Sequence, residues 1–208
     1  MKLNEIDTKK FKFEYLKKFL TRVAGGSKKV NARRRKMDKA EELGIDLSKS
    51  GKVPPNELRV IAKDELQKIY DTFGVDEREV FSIFKGESSF NTRAFNASGA
   101  VGLFQAMPSV ASELGTSSVK IHEMSAAEQV DLYYQYLSMW SKRNKTKKFK
   151  GKLGVLQAAP GYAKKDLKEP LPGYEKGSKR WEQNPGWQPS DGGDITIASI
   201  SDYYKRKA

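Results

Sequence analysis

Apolar residues recur along this chain at intervals of three and four, and no segment carries a convincing strand pattern. That period puts side chains on one face of an α-helix, whereas alternation would mark a strand. The spacing predicts a helix over residues 5–24, where Phe11, Tyr15, Leu16, Phe19, Leu20 and Val23 share a stripe that Gly25-Gly26 ends. Residues 28–43, with Arg33, Arg34, Arg35 and Lys36 in a row, read as a basic helix or an exposed arm. A turn-rich stretch from Gly44 to Pro55 follows, and a domain boundary is expected there.

The helical pattern resumes with Leu58, Ile61, Ala62, Leu66, Ile69, Tyr70 and Phe73, with Asn56 as the expected N-cap and Gly74 as the stop. Asp76 opens a short helix with Val80, Phe81, Ile83 and Phe84 inside and Glu87 at its C-terminal end. Pro108 starts a helix over 108–115, at a position where its missing N–H is harmless. Ser125 and Glu128 form a capping box ahead of a long helix, 126–143. Residues 153–163 form a last core helix that breaks at Pro160-Gly161. The stretch 166–194, with Pro170, Pro172, Pro185, Pro189, Trp181 and Trp187, reads as irregular wrapping, and Asp194–Lys207 as a short C-terminal helix. The expectation is a mainly α protein in three parts: a basic N-terminal helical arm or anchor (1–55), a main domain (56–165), and a Pro/Trp-rich wrap with a C-terminal helix (166–208).

Composition narrows the chemistry. With 208 residues the chain can bury one real core and a smaller appendage. It has no cysteine, which excludes disulfides, thiolate catalysis and cysteine-ligated zinc. A single histidine, His122, makes a zinc peptidase or a Ser-His-Asp triad a poor fit, and it reads as a surface or capping residue; no metal and no cofactor is expected. No apolar run approaches the ~20 residues a membrane span needs, and the N-terminal stretch shows no uncharged apolar core of an export signal. The formal net charge is +13; residues 1–60 hold 17 Lys/Arg against 8 Asp/Glu, and Lys142–Lys152 adds seven cations without an acid. Such surfaces favour anionic polymers, DNA or an acidic protein, without any base-reading motif.

The candidate chemistry concentrates in residues 86–108, GESSFNTRAFNASGAVGLFQAMP. A carboxylic acid follows an apolar helical run and opens a stretch of small and polar residues. Apolar neighbours and the negative end of a helix both disfavour an ionised carboxylate, so Glu87 is expected to hold its proton near neutral pH, as a general acid must. The next acidic residue after it is Glu113. Glycosidases with two carboxylates need a second acid close by, so a one-acid mechanism fits better.

This window resembles the soluble lytic transglycosylases, which share a core with goose-type lysozymes. Three sub-motifs match in one register: Glu87-Ser88-Ser89-Phe90, then Asn96-Ala97-Ser98-Gly99-Ala100, then Gly102-Leu103-Phe104-Gln105-Ala106-Met107-Pro108. The resemblance covers about residues 60–165. It implies a lysozyme-like helical domain acting on peptidoglycan glycan strands at the MurNAc-β-1,4-GlcNAc bond. Glu87 would protonate the glycosidic oxygen and the substrate's 2-acetamido group would stabilise the cation. The Glu87 carboxylate would then take the proton of the C6 hydroxyl, which closes a 1,6-anhydro ring. Asn96 and Ser98 would hydrogen-bond the Glu87 carboxyl or the acetamido group, Gln105 and Met107 would contact sugar, and Ser88 belongs to the same substrate-binding set. Gly99 and Gly102 would let the backbone turn tightly.

One motif departs. Where the family carries Ala-x-Tyr-Asn-Ala-Gly, with its tyrosine beside the acid, this chain has Ala158-Ala159-Pro160-Gly161. Tyr162 is the candidate to supply the missing hydroxyl. Ala-Pro-Gly at this place resembles phage-encoded members, which implies an enzyme carried by a phage virion, in its tail or interior, and acting at the host cell wall or periplasm. The basic arm would then contact other virion or tail proteins. A lysozyme-like muramidase or endolysin, and a non-catalytic tail or virion module of the same fold, remain the alternatives.

Overall fold

The structure is a computed structural model that describes residues 28–207. The helix expected over 5–24 lies outside the described residues. Among the described residues ten α-helices run in chain order: α1 (Lys28–Leu43), α2 (Pro55–Ile61), α3 (Lys63–Phe73), α4 (Glu77–Ser88), α5 (Pro108–Glu113), α6 (Ser118–Glu123), α7 (Ala126–Asn144), α8 (Leu153–Ala158), α9 (Lys179–Gln183) and α10 (Ile197–Lys207). Among the described residues β-pairing is confined to isolated bridges, so the fold is mainly α as the periodicity implied.

Local chemistry explains most boundaries. Asp76 accepts from the Glu79 amide while the Glu79 carboxylate reaches back to the Asp76 amide, which caps α4. Ser125 and Glu128 do the same for α7. Gly74 closes α3 with φ at +63°. The run 56–73 is two helices, because the chain kinks at Ala62 (φ −122°, ψ 30°). The N-cap of α2 is Pro54, not Asn56; with Pro55 at the first helical position, Asn56 is one residue inside and its side-chain oxygen accepts from Arg59. The last core helix stops at Ala158 and is followed by a single 3₁₀ turn, 160–162.

Helix α7 is the axis of the core. Tyr133, Tyr136, Leu132, Val130 and Leu137 are buried on it, with α3 and α2 packed against it. Phe84 of α4 meets the Tyr133 ring edge-on at 5.2 Å, and Phe104 meets it at 5.1 Å. Aromatic pairs in such orientations add to what their buried area contributes.

The stretch between α1 and α2 is a strap. Val53 N–H donates to Phe90 (2.9 Å), Thr92 N–H donates to Gly51 (2.9 Å), and the Thr92 hydroxyl donates to the same Gly51 carbonyl (3.0 Å). Ala40 and Ile45 belong to the main hydrophobic core. Residues on both sides of position 55 therefore share one core: the inner face of α1 is apolar while Arg33, Arg34 and Arg35 stay exposed. The wrap, residues 164–196, is likewise pinned. Leu171 and Ile195 are fully buried and joined by a 2.9 Å backbone hydrogen bond, and the Trp181 indole donates to Gly193. It carries the chain back to α10, which packs on α4 and α8.

Candidate active site

Glu87 is the penultimate residue of α4 and only partly exposed. Beyond Ser88 the backbone turns left-handed twice, at Ser89 (φ +53°) and Phe90 (φ +60°), and again at Gln105 (φ +50°). These are three of the four non-glycine residues with positive φ among the described residues. Such conformations are uncommon and persist where surrounding structure holds them. Here the holding groups are visible. Phe90 is buried against Phe81 at 5.5 Å, and its carbonyl is tied to the strap.

The loop 91–107 spends its polar groups on its own backbone. Asn96 Oδ1 accepts from the amides of Ser98 (2.8 Å) and Ala100 (3.1 Å), so it shapes the turn rather than reaching the carboxyl. Gln105 Nε2 donates to the carbonyls of Ala94 (3.2 Å) and Gly102 (3.1 Å). The Ser88 hydroxyl donates one helical turn back to Phe84 (2.9 Å). Ser98 is exposed, and Met107 keeps 41 % of its surface in solvent, as a wall for a ligand would. Gly99 and Gly102 both have positive φ, in agreement with the tight turn expected there.

The loop is stapled to the core by Gln129 of α7, a residue that no motif in the sequence marks. Its side chain is fully buried. Oε1 accepts from Leu103 N–H (2.8 Å), and Nε2 donates to the carbonyls of Thr92 (2.8 Å) and Ile121 (2.8 Å). One side chain thereby ties two points of the loop to each other and to helix α6. Its approach needs Gly102, because a Cβ there would sit 2.6 Å from Gln129 Oε1. His122 is buried in α6 at 3 % exposure rather than lying at the surface; burial depresses its pKa, so it is neutral.

The hydrogen bond on the acid comes from elsewhere. The Tyr204 hydroxyl, on α10, donates to Glu87 Oε1. Tyr162, the residue expected to supply a hydroxyl, sits in the 3₁₀ turn after α8. Burial pushes the Glu87 carboxyl above the ordinary carboxylate range, and the Tyr204 hydrogen bond pulls the other way without cancelling it. Tyr204 is itself pushed up, first by burial and then by the Glu87 charge, so its phenol keeps its proton.

The two halves of the site face one ring. Phe84 lies three residues before Glu87 and Phe104 lies beside Gln105, and both rest on Tyr133. Gln157 of α8 donates to the Phe104 carbonyl and holds the same turn from the far side. A half-buried acid whose burial favours its neutral form can protonate a leaving oxygen.

Residues 64–132 match the family model for the transglycosylase SLT domain. The match spans Glu87 on α4, the loop residues Asn96, Ser98, Gln105 and Met107, and Gln129 on α7, within a lysozyme-like, mainly helical SLT domain. It supports cleavage of peptidoglycan glycosidic bonds as the chemistry of this domain. Tyr162 and Tyr204 lie outside the matched residues. A cavity of about 390 Å³ lies at the opposite end of α4, lined by Asp76, Arg78, Glu79, Ser82, Lys150, Gly151 and Lys205, and contains none of the SLT motif residues. Among the described residues no group of three or more His, Cys, Asp or Glu is placed to hold a metal, and no helix is long and apolar enough to cross a membrane.

Proposed function

We propose that the chain is a peptidoglycan lytic transglycosylase in which Glu87 serves as both acid and base. The observation that carries this reading is a single carboxyl at a helix end, held above its ordinary pKa by burial and fixed by one phenol. The next acidic residue along the chain, Glu113, is paired with Arg143 at 3.1 Å, which leaves the one-acid course as the better fit. The neutral carboxyl protonates the glycosidic oxygen as the bond to C1 breaks. The substrate's acetamido oxygen stabilises the cation at C1. The resulting carboxylate removes the proton of the C6 hydroxyl as that oxygen bonds to C1, so the acid is regenerated and no water is consumed.

Mass spectrometry of purified peptidoglycan after digestion tests this, with wild type beside Glu87→Gln. Anhydro-muropeptides are expected from wild type, with a loss of about 10²–10⁴-fold in the variant. Reducing-end sugars would assign the site to a hydrolase instead. No product from either protein would leave a binding module.

We further propose that a phage particle carries the enzyme to the host wall, with the basic arm contacting other virion components or an anionic polymer such as DNA. The support is the excess of nine positive charges within residues 1–60 (17 less 8) and the Ala158-Ala159-Pro160-Gly161 likeness to phage-encoded members. Proteomics of purified particles finds the chain at fixed copy number if this holds.

A further inference from the structure

Tyr204 reaches Glu87 across 117 residues of sequence, and the route it takes is built for it. Its ring passes between α4 and α8. On one side lies Gly86, where a Cβ would stand 3.0 Å from the ring; on the other lies Gly154, where a Cβ would stand 2.8 Å away. Both glycines belong to helices, where glycine is ordinarily less favourable than alanine. Two such glycines facing each other across one aromatic ring make a slot with room for that ring and little more.

The helix that carries the ring is fixed along its length. Ile197 and Ile200 are fully buried, and the Ser201 hydroxyl donates to the Gly151 carbonyl at 2.7 Å. Thr196 and Ser199 cap its start through reciprocal side-chain bonds of 3.0 and 3.1 Å. Tyr204 retains 4 % exposure. A phenylalanine would fill the slot equally well by shape. Burying a hydroxyl in its place is unfavourable unless it is hydrogen-bonded, and the partner here is the carboxyl of the proposed acid.

We infer that Tyr204 is the positioning residue of Glu87, the C-terminal helix completing the active site by holding Oε1 so that Oε2 is the oxygen that carries and receives the proton. This rests on the reading of Glu87 as the acid. The phenol donates in both halves of the cycle, to the neutral carboxyl before bond cleavage and to the carboxylate after it. It favours the carboxylate, while burial favours the neutral acid, so the pair sets the acid strength between these two effects. Tyr133 and Tyr136 of α7 also sense the Glu87 charge, and both are pushed upward by burial. They stay neutral wherever a carboxylate titrates, so the titration of Glu87 reports on Tyr204.

The test uses the full chain as wild type, Tyr204→Phe, Glu87→Gln and, as a control on the same helix, Tyr203→Phe. Two readouts are taken: the carbon-13 NMR titration of the Glu87 carboxyl, and the pH profile of glycan cleavage. In Tyr204→Phe the Glu87 titration moves to higher pH and kcat falls about 10- to 100-fold with KM little changed. The limb of the rate profile that reports Glu87 moves the same way. Tyr203→Phe leaves both readouts where they were. A Tyr204→Phe protein that folds but keeps the wild-type titration and rate overturns this inference alone, provided Glu87→Gln is inactive. Full activity in Glu87→Gln overturns the acid assignment and this inference together.

Discussion

Two regions meet at Glu87, and they are built on opposite logic. Residues 86–108 carry nearly all the recognisable chemistry, yet Asn96, Gln105 and Ser88 turn their polar groups onto nearby backbone. The C-terminal helix has no recognisable motif, yet it delivers the hydroxyl that touches the acid. The comparison separates shaping from tuning. Short-range polar residues give the loop its form, and a distant buried phenol sets the state of the carboxyl.

The strongest way to break the comparison is to damage the loop while sparing the phenol. Gln129→Leu removes a buried amide that serves Leu103, Thr92 and Ile121; the Ile121 carbonyl keeps the Met124 amide, but the Leu103 N–H and the Thr92 carbonyl are left unpaired. Each buried polar group left unsatisfied costs about 1–3 kcal/mol. A loss of about 3 kcal/mol or more is expected, measured by urea denaturation. An unchanged midpoint would show that the loop holds itself. The converse experiment narrows the slot and spares the loop. A methyl at Gly154 meets Tyr204 Cδ2 at 2.8 Å and the Ile200 carbonyl at 3.3 Å. Overpacking of this kind costs about 1–3 kcal/mol, and Gly154→Ala is expected to lower cleavage as well as stability as α10 shifts off the acid. Cleavage at the wild-type rate in a destabilised Gly154→Ala protein would argue that the position of α10 is unimportant to the reaction.

The same contrast explains what could be read from the sequence. The helical class, the helix start at Asp76, the capping box at Ser125, the stop at Gly74 and the placement of Glu87 at a helix end follow from spacings of three to eighteen residues, where the chain's own stereochemistry dominates. The elevated acid also followed, because apolar neighbours in sequence became apolar neighbours in space. Tyr204 did not follow. Its signal is an inward stripe of Ile197, Ile200 and Tyr204 on the last helix, which says that the phenol is buried but not against what. Gly86 and Gly154 were the other half of that signal: glycines inside helical patterns, unexplained until the ring between them is seen. Gln129 was hidden in the same way. A polar residue at a helical core position asks for partners, and those partners are backbone groups of a helix 8 residues away and a loop up to 37 residues away. Turn-forming residues predict the boundary at 55, and the same turn also lets Gly51 and Val53 bind the loop behind Glu87, which local spacing does not reveal.

The smallest expected effect sharpens the tuning side, because it separates the fold's interest from the reaction's. The folded pKa of Glu87 lies above its unfolded value, with burial as the main cause. Below the ordinary carboxylate range both states are protonated and the residue is neutral toward folding. As pH rises through the window between the unfolded and folded values, the unfolded chain releases its proton first, so stability falls; above the window the deficit is constant. Glu87→Gln removes this deficit and keeps an amide oxygen able to accept from Tyr204. The variant is therefore expected to match wild type in thermal melts at about pH 3 and to melt slightly higher at about pH 7.5, while it no longer cleaves glycan. Every other titrating group is common to both proteins and cancels in the difference. If the gap has the opposite sign at neutral pH, the Tyr204 hydrogen bond outweighs burial. The folded environment would then favour the carboxylate, and proton uptake on substrate binding would have to precede the acid step.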